Sequence, residues 1–138
     1  MAFHPYLYFD GNCREAFTRY QEIFGGELNI MTGTDAPPDA GIPADKQDLV
    51  MHASLWHGDA LLMASDSYDD APAGITGIVV HYNTDDIDRA KAIFAALADG
   101  GDARMEGPQF WTPYFGVCTD RFGTPWQISV DQVEHGDG

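Results

Sequence analysis

The sequence predicts an α+β fold made of two tandem copies of one strand, helix, strand, strand, strand unit, and three observations predict it. Two helix patterns, Cys13–Phe24 and Ile87–Ala98, carry apolar residues at three- and four-residue spacing. Each follows an aromatic or β-branched run and a capping turn, and each gives way to a glycine pair followed by an acid. Three further strand patterns come after each helix, the last two joined by a glycine-bearing turn.

Taken in order, residues 3–9 form an aromatic-rich strand and Asp10-Gly11-Asn12 caps the first helix. In that helix Ala16, Phe17, Tyr20, Ile23 and Phe24 share one face, with Arg14, Glu15, Arg19 and Glu22 opposite. Strands are expected at residues 28–32, 49–56 and 60–65, with His57-Gly58-Asp59 as a hairpin turn. Residues 33–47, holding Pro37, Pro38 and Pro43, read as an irregular, unpacked loop and the best lid candidate. The second half repeats the plan. A strand at 75–82, a cap at Asn83-Thr84-Asp85-Asp86 and the second helix lead to strands at 103–106, 114–119 and Pro125–Val130, with Arg121-Phe122-Gly123 as the last turn. Ala16 and Ala90, Tyr20 and Phe94, and Ile23 and Leu97 all lie 74 residues apart, a register that marks an internal repeat. The organisation is one domain over residues 1–138, with modules at about 1–68 and 75–133 and a polar tail at 134–138.

The composition bounds function. A chain of 138 residues with 44% hydrophobic content can bury one good core. Twenty-two acids against seven Lys and Arg give a net charge of −15, which opposes both nucleic acid and anionic membranes as partners. No apolar run would span a bilayer and the first residues lack signal-peptide character, so a cytoplasmic location is expected. Cys13 and Cys118 are expected to be reduced, buried thiols rather than a bridge or a nucleophile.

Longer words in the sequence add to this. Pro5-Tyr6-Leu7-Tyr8-Phe9-Asp10-Gly11-Asn12-Cys13-Arg14-Glu15-Ala16, Phe24-Gly25-Gly26-Glu27, Met51-His52-Ala53-Ser54-Leu55, Leu62-Met63-Ala64-Ser65-Asp66, Phe115-Gly116 and Asp120-Arg121-Phe122-Gly123-Thr124-Pro125-Trp126-Gln127-Ile128 run nearly end to end. They resemble the PhnB-like, or demethylubiquinone methyltransferase-like, branch of the glyoxalase/bleomycin-resistance (vicinal oxygen chelate) superfamily. The resemblance implies a curled mixed sheet, a half-barrel, with helices on its outer face and a ligand cavity, and it implies a homodimer. It does not bring methyl transfer with it, because no glycine-rich βα fingerprint for a nucleotide cofactor is present.

In metal-using members of that superfamily the first and last strands of each module supply the ligands. Carried onto this repeat, those positions are His4, Leu62, Ile78 and Gln127, with Asp66 or His81 reached by a slip of one or two residues. One imidazole and one amide fall short of the three donors a divalent ion needs, so no cofactor is expected; a bound metal with His4 as a ligand is the alternative.

Strand alternation then assigns faces. Phe3, Pro5, Leu7 and Phe9 are expected to pack on helices, leaving His4, Tyr6 and Tyr8 toward the cavity with His52, Ser54 and Trp56. Phe115, Val117, Gln127 and Ser129 line the other side, and Trp111 closes over it. The candidate pocket is therefore His4, Tyr6, His52, Trp56, Trp111, Phe115 and Gln127, suited to a small, partly aromatic ligand. These aromatics also fit an ordinary core, and His52 fits an ordinary strand histidine. Three functions remain open: a metal-free small-molecule binding protein; an enzyme, either a metal-dependent lyase or dioxygenase or an acid-base isomerase using His52; and a structural or regulatory dimer.

Overall fold

The computed structural model describes residues 2–67 and 75–131. The chain forms two compact units, residues 1–74 and 75–138. The tail expected at 134–138 lies outside the described residues.

In the first unit β1 (Tyr6–Phe9) leads to α1 (Cys13–Phe24), β2 (Glu27–Thr32), β3 (Val50–His57) and β4 (Ala60–Asp66). The strands form one mixed sheet in the order β1-β4-β3-β2, with β1 parallel to β4 and the other pairs antiparallel. Helix α1 packs across β2, β3 and β4. Its buried stripe, Ala16, Phe17, Tyr20 and Phe24, meets Leu7, Phe9, Ala53, Leu55 and Ala64. The Phe17 ring takes an edge-on contact from Phe9 at 6.2 Å between centroids, a favoured aromatic geometry. Gly26, at φ +103°, lets the chain leave the helix against the Trp56 carbonyl, where a Cβ would collide. Gly58, at φ +62°, opens the two-residue turn that pairs His57 with Ala60, as a type II′ hairpin requires.

The second unit repeats this with β5 (Val80–Thr84), α2 (Ile87–Ala98), β6 (Asp102–Gln109), β7 (Thr112–Thr119) and β8 (Pro125–Val130), in the sheet order β5-β8-β7-β6. Asp86 caps α2 by accepting from the Asp88 and Arg89 backbone N–H groups, satisfying donors that a helix start leaves open. Ala90, Ile93, Phe94 and Leu97 bury against Tyr114, Cys118, Trp126 and Ile128. Both helices have the bounds expected from periodicity.

Two buried aspartates hold the strand ends, and the sequence reading had no role for them as anchors. Asp66, 2% exposed at the end of β4, accepts the Cys13 N–H at 3.0 Å and the Val50 N–H at 2.9 Å, tying the first turn of α1 to the start of β3. Asp120 organises the β7–β8 turn. It accepts the Phe122 and Thr124 N–H groups on Oδ1 and the Trp126 indole N–H on Oδ2, each at 2.9 Å.

Several expectations need correction. Residues 3–5 precede β1 rather than forming it, and Phe3 is fully exposed instead of packing on a helix; only Pro5 extends the pairing, by accepting the Met63 N–H. The strand expected at 75–82 runs from Val80 to Thr84, leaving Ile78 exposed outside it. Residues 33–47 are irregular but not unpacked. Three single turns of 3-10 helix, Gly33–Asp35, Pro38–Ala40 and Ala44–Lys46, are fastened by Gly33 N–H to Leu49 O, Thr34 N–H to Gln47 O and the Gln47 side-chain amide to Ile42 O.

Replacing Asp120 by Ala leaves three donors without their charged acceptor, two of them on backbone, and is expected to lower unfolding free energy by about 2–4 kcal/mol in urea titration. Glu22→Ala, which removes the exposed partner of an i,i+3 pair with Arg19, is expected to change it by less than about 0.5 kcal/mol.

Candidate functional site

One helix covers one face of each sheet and the pleat sends every second side chain to the other face. In the first unit that open face carries Tyr6 and Tyr8 from β1, Met63 and Ser65 from β4, and His52, Ser54 and Trp56 from β3. Tyr6, Tyr8 and Trp56 keep 40%, 48% and 42% of their surface exposed. The Tyr6 ring lies 5.5 Å from Tyr8 and 5.9 Å from His52, so the three form a continuous aromatic floor reaching across β4. Ser65 is buried in it, and Met31, paired with His52, extends it onto β2.

In the second unit the open face carries His81 and Asn83 from β5, Gln127 and Ser129 from β8, and Phe115 and Val117 from β7. Phe110 and Trp111 form the tip of the β6–β7 hairpin, and the Trp111 ring stands edge-on to the buried Phe115 at 5.4 Å. Both ring nitrogens of His81 are engaged: Nδ1 lies 3.0 Å from Gln127 Oε1 and Nε2 lies 2.9 Å from Ser129 Oγ. With the amide oxygen as acceptor, Nδ1 carries the proton and Nε2 accepts from the serine hydroxyl. The sequence reading reached His81 only as a slipped metal position. Alternation anchored on the buried Trp126 and Ile128 gives the face of Gln127, but the β5–β8 register that sets His81 beside it is not a local signal.

Of the residues singled out from sequence, the first unit brings together Tyr6, His52 and Trp56 on one face, while His4 lies exposed before β1. The second unit brings together Phe115 and Gln127 with Trp111 at the hairpin tip. The metal slots need correction in two places. The connection from β1 to α1 is one residue longer than that from β5 to α2, so the strands match at a shift of 75 where the helices match at 74, and Val79, not Ile78, is the mate of His4. The residue matching Gln127 is Met63, because Tyr6 pairs with Met63 as His81 pairs with Gln127; Leu62 points to the helix side with Ala64. Asp66 is not a ligand candidate either, since both its oxygens accept backbone N–H groups in the core. No group of three His, Cys, Asp or Glu side chains arranged for a metal occurs among the described residues.

Cys13 and Cys118 are free and buried. Burial first, and then the Asp66 carboxylate, push the Cys13 thiol up to about 12; burial and Asp120 push Cys118 up to about 11. Neither supplies a thiolate near neutral pH. Burial, reinforced by its hydrogen bond to Glu106, also raises the Tyr114 phenol well above its usual range.

Two units of this plan, each with a covered and an open sheet face, define the glyoxalase/bleomycin-resistance fold class. The fosfomycin resistance protein FosX of Listeria monocytogenes, crystallised with Mn(II) and 1S,2S-dihydroxypropylphosphonic acid, is similar in fold alone, with a TM-score of 0.67 at 10% identity over 100% of this chain and 98% of its own. Within that class, the family described as 3-demethylubiquinone-9 3-methyltransferase matches residues 1–129, and the chain belongs to it. Protein YjdN of Escherichia coli (strain K12) is 30% identical over 140 residues, covering 94% of this chain and 95% of YjdN. Protein PA1353 of Pseudomonas aeruginosa is 43% identical, with a TM-score of 0.86 over 96% of this chain and 98% of its own. A PhnB protein of Bacillus cereus is 21% identical, with a TM-score of 0.76 over 94% of this chain and 99% of its own.

Two outcomes are expected here. Nitrogen NMR should find the His81 proton on Nδ1, and Gln127→Ala should release that preference toward the tautomer mixture of a solvated imidazole. Iodoacetamide at pH 8 should leave both cysteines of the native protein unmodified, while denatured protein reacts at both. The same raised thiols retain protons that the unfolded chain gives up, so their contribution to stability is complete below the ordinary value of 9.0 and is lost as pH rises toward about 11 and 12.

Proposed function

We propose that this PhnB-like protein binds a small, partly aromatic molecule on an open sheet face, and that it does so without a metal. The aromatic floor of Tyr6, Tyr8 and His52, with Trp56 on the same face, carries the reading, because electron-rich rings this exposed suit stacking on a ligand. His4, Tyr6, His52 and Trp56 are the contact residues on the first unit; Trp111, Phe115 and Gln127 are those on the second. Ser54 and the His81–Gln127–Ser129 cluster add hydrogen-bonding tips that orient a ligand.

Donor chemistry supports the metal-free part. The corrected slots hold His4, Met63, Val79 and Gln127, and a thioether and an alkyl group are poor partners for a hard ion such as the Mn(II) crystallised with FosX. Methyl transfer is not part of the proposal. The βα connections, Asp10-Gly11-Asn12 and Asp85-Asp86, lack the glycine-rich turn that cradles a dinucleotide. His52 remains the residue to test for acid-base chemistry if turnover is found. We further propose that the protein works in the cytoplasm as a homodimer; among the described residues no helix is long and apolar enough to cross a membrane.

A thermal-shift screen over neutral, cationic and anionic aromatic compounds tests the reading. A ligand at 100 times its dissociation constant should add about 2.7 kcal/mol to stability. Tyr6→Ala should weaken a compound that binds on the first unit's face and Trp111→Ala one that binds on the second unit's face, while Glu22→Ala on the outer face of α1 leaves either unchanged. Metal analysis of the purified protein supplies the second arm: stoichiometric metal that disappears in His4→Ala overturns the metal-free reading.

A further inference from the structure

We propose that the open face of the first sheet selects an organic cation, an amine or quaternary ammonium group carrying an aromatic body, over a neutral or anionic molecule of similar shape. This rests on the small-molecule reading above and names the ligand class for that face. It is drawn from where the chain puts its charges. The protein has seven Lys and Arg residues. Arg14 and Arg19 lie on α1, Lys46 in a 3-10 turn, Arg89 and Lys91 on α2, Arg104 on β6 and Arg121 in the β7–β8 turn. None lies on any strand of the first sheet, so those strands themselves supply no lysine or arginine to replace the water of an anion settling on the open face.

The groups that are present point the other way. Tyr6, Tyr8 and Trp56 present exposed rings, whose faces attract a cation within about 6 Å of the centroid. Indole is the strongest of the three in this role, and the indole here has a carboxylate beside it. Glu27 on β2 pairs directly with Trp56 on β3, so the two side chains emerge on the same face as cross-strand neighbours. A ring face with an adjacent carboxylate favours a positive group on both counts. The carboxylate of Asp66, the other acid on these strands apart from Glu27, is buried on the helix side and engaged there. The net charge of −15 acts in the same sense at longer range, raising the local concentration of cations and lowering that of anions.

The test is calorimetric titration of the full-length protein with benzyltrimethylammonium, N-benzylacetamide and benzylphosphonate, in low and in physiological salt. The cation is expected to bind about tenfold more tightly than the neutral amide, with the margin narrowing as salt screens the field, and the phosphonate is expected not to bind. Trp56→Ala should weaken the cation about fivefold or more, and Glu27→Gln should weaken the cation while leaving the amide unchanged. Both residues are exposed, and an unchanged unfolding midpoint verifies that each variant folds. Equal affinity for cation and amide, with both lost in Trp56→Ala, overturns the charge preference and leaves the small-molecule reading standing. Tighter binding of the phosphonate overturns it as well. Cation binding indifferent to both Trp56→Ala and Glu27→Gln overturns the placement on this face, and absence of binding by all three probes overturns the proposal outright.

Discussion

A single helix can cover only one face of a four-stranded sheet, and that constraint governs both halves of this molecule. Strand alternation divides each strand between a buried set and a set left over, and the buried set is apolar enough to fix the register: Leu7, Phe9, Ala53, Leu55 and Ala64 under α1, Cys118, Trp126 and Ile128 under α2. A one-residue slip would expose that set and bury tyrosine, histidine and glutamine in its place. The composition of the open faces is therefore a consequence of core packing and is available for recognition.

The strand ends are secured by two buried carboxylates that accept hydrogen bonds in the core. Asp66 and Asp120 are both buried, and both exchange water for backbone N–H groups, with an indole N–H added at Asp120. Buried carboxylates are tolerated when hydrogen bonds replace hydration in full. Their cost is felt next door, where Asp66 adds to the burial that holds Cys13 protonated and Asp120 does the same for Cys118. The resulting thiols are inert packing groups, which moves attention from nucleophilic chemistry to the aromatic face and the His81 cluster.

Family membership and fold assign no reaction. The superfamily fold accommodates metal chemistry where the right strand positions carry three donors, and this chain places a thioether and an aliphatic side chain at two of the four. What the open faces do offer is ring surface, a few hydrogen-bonding tips and, on the first sheet, the Glu27 carboxylate with no lysine or arginine on the same strands.

Local sequence alone determined the two helices to the residue, the strand-rich plan of each half, the final strand, and the faces of β1 and β3, because periodicity and glycine stops are local signals that burial reinforces. It also carried the family, through words such as Phe24-Gly25-Gly26-Glu27 and Asp120-Arg121-Phe122-Gly123-Thr124-Pro125-Trp126. Tertiary structure alone decided the equivalence of Tyr6 with His81 and of Met63 with Gln127, since a connection one residue shorter before α2 shifts strands against helices in a way no single-strand pattern reveals. It alone joined His81 to Gln127 and Ser129, and Glu27 to Trp56, because cross-strand pairing is a property of register between distant segments.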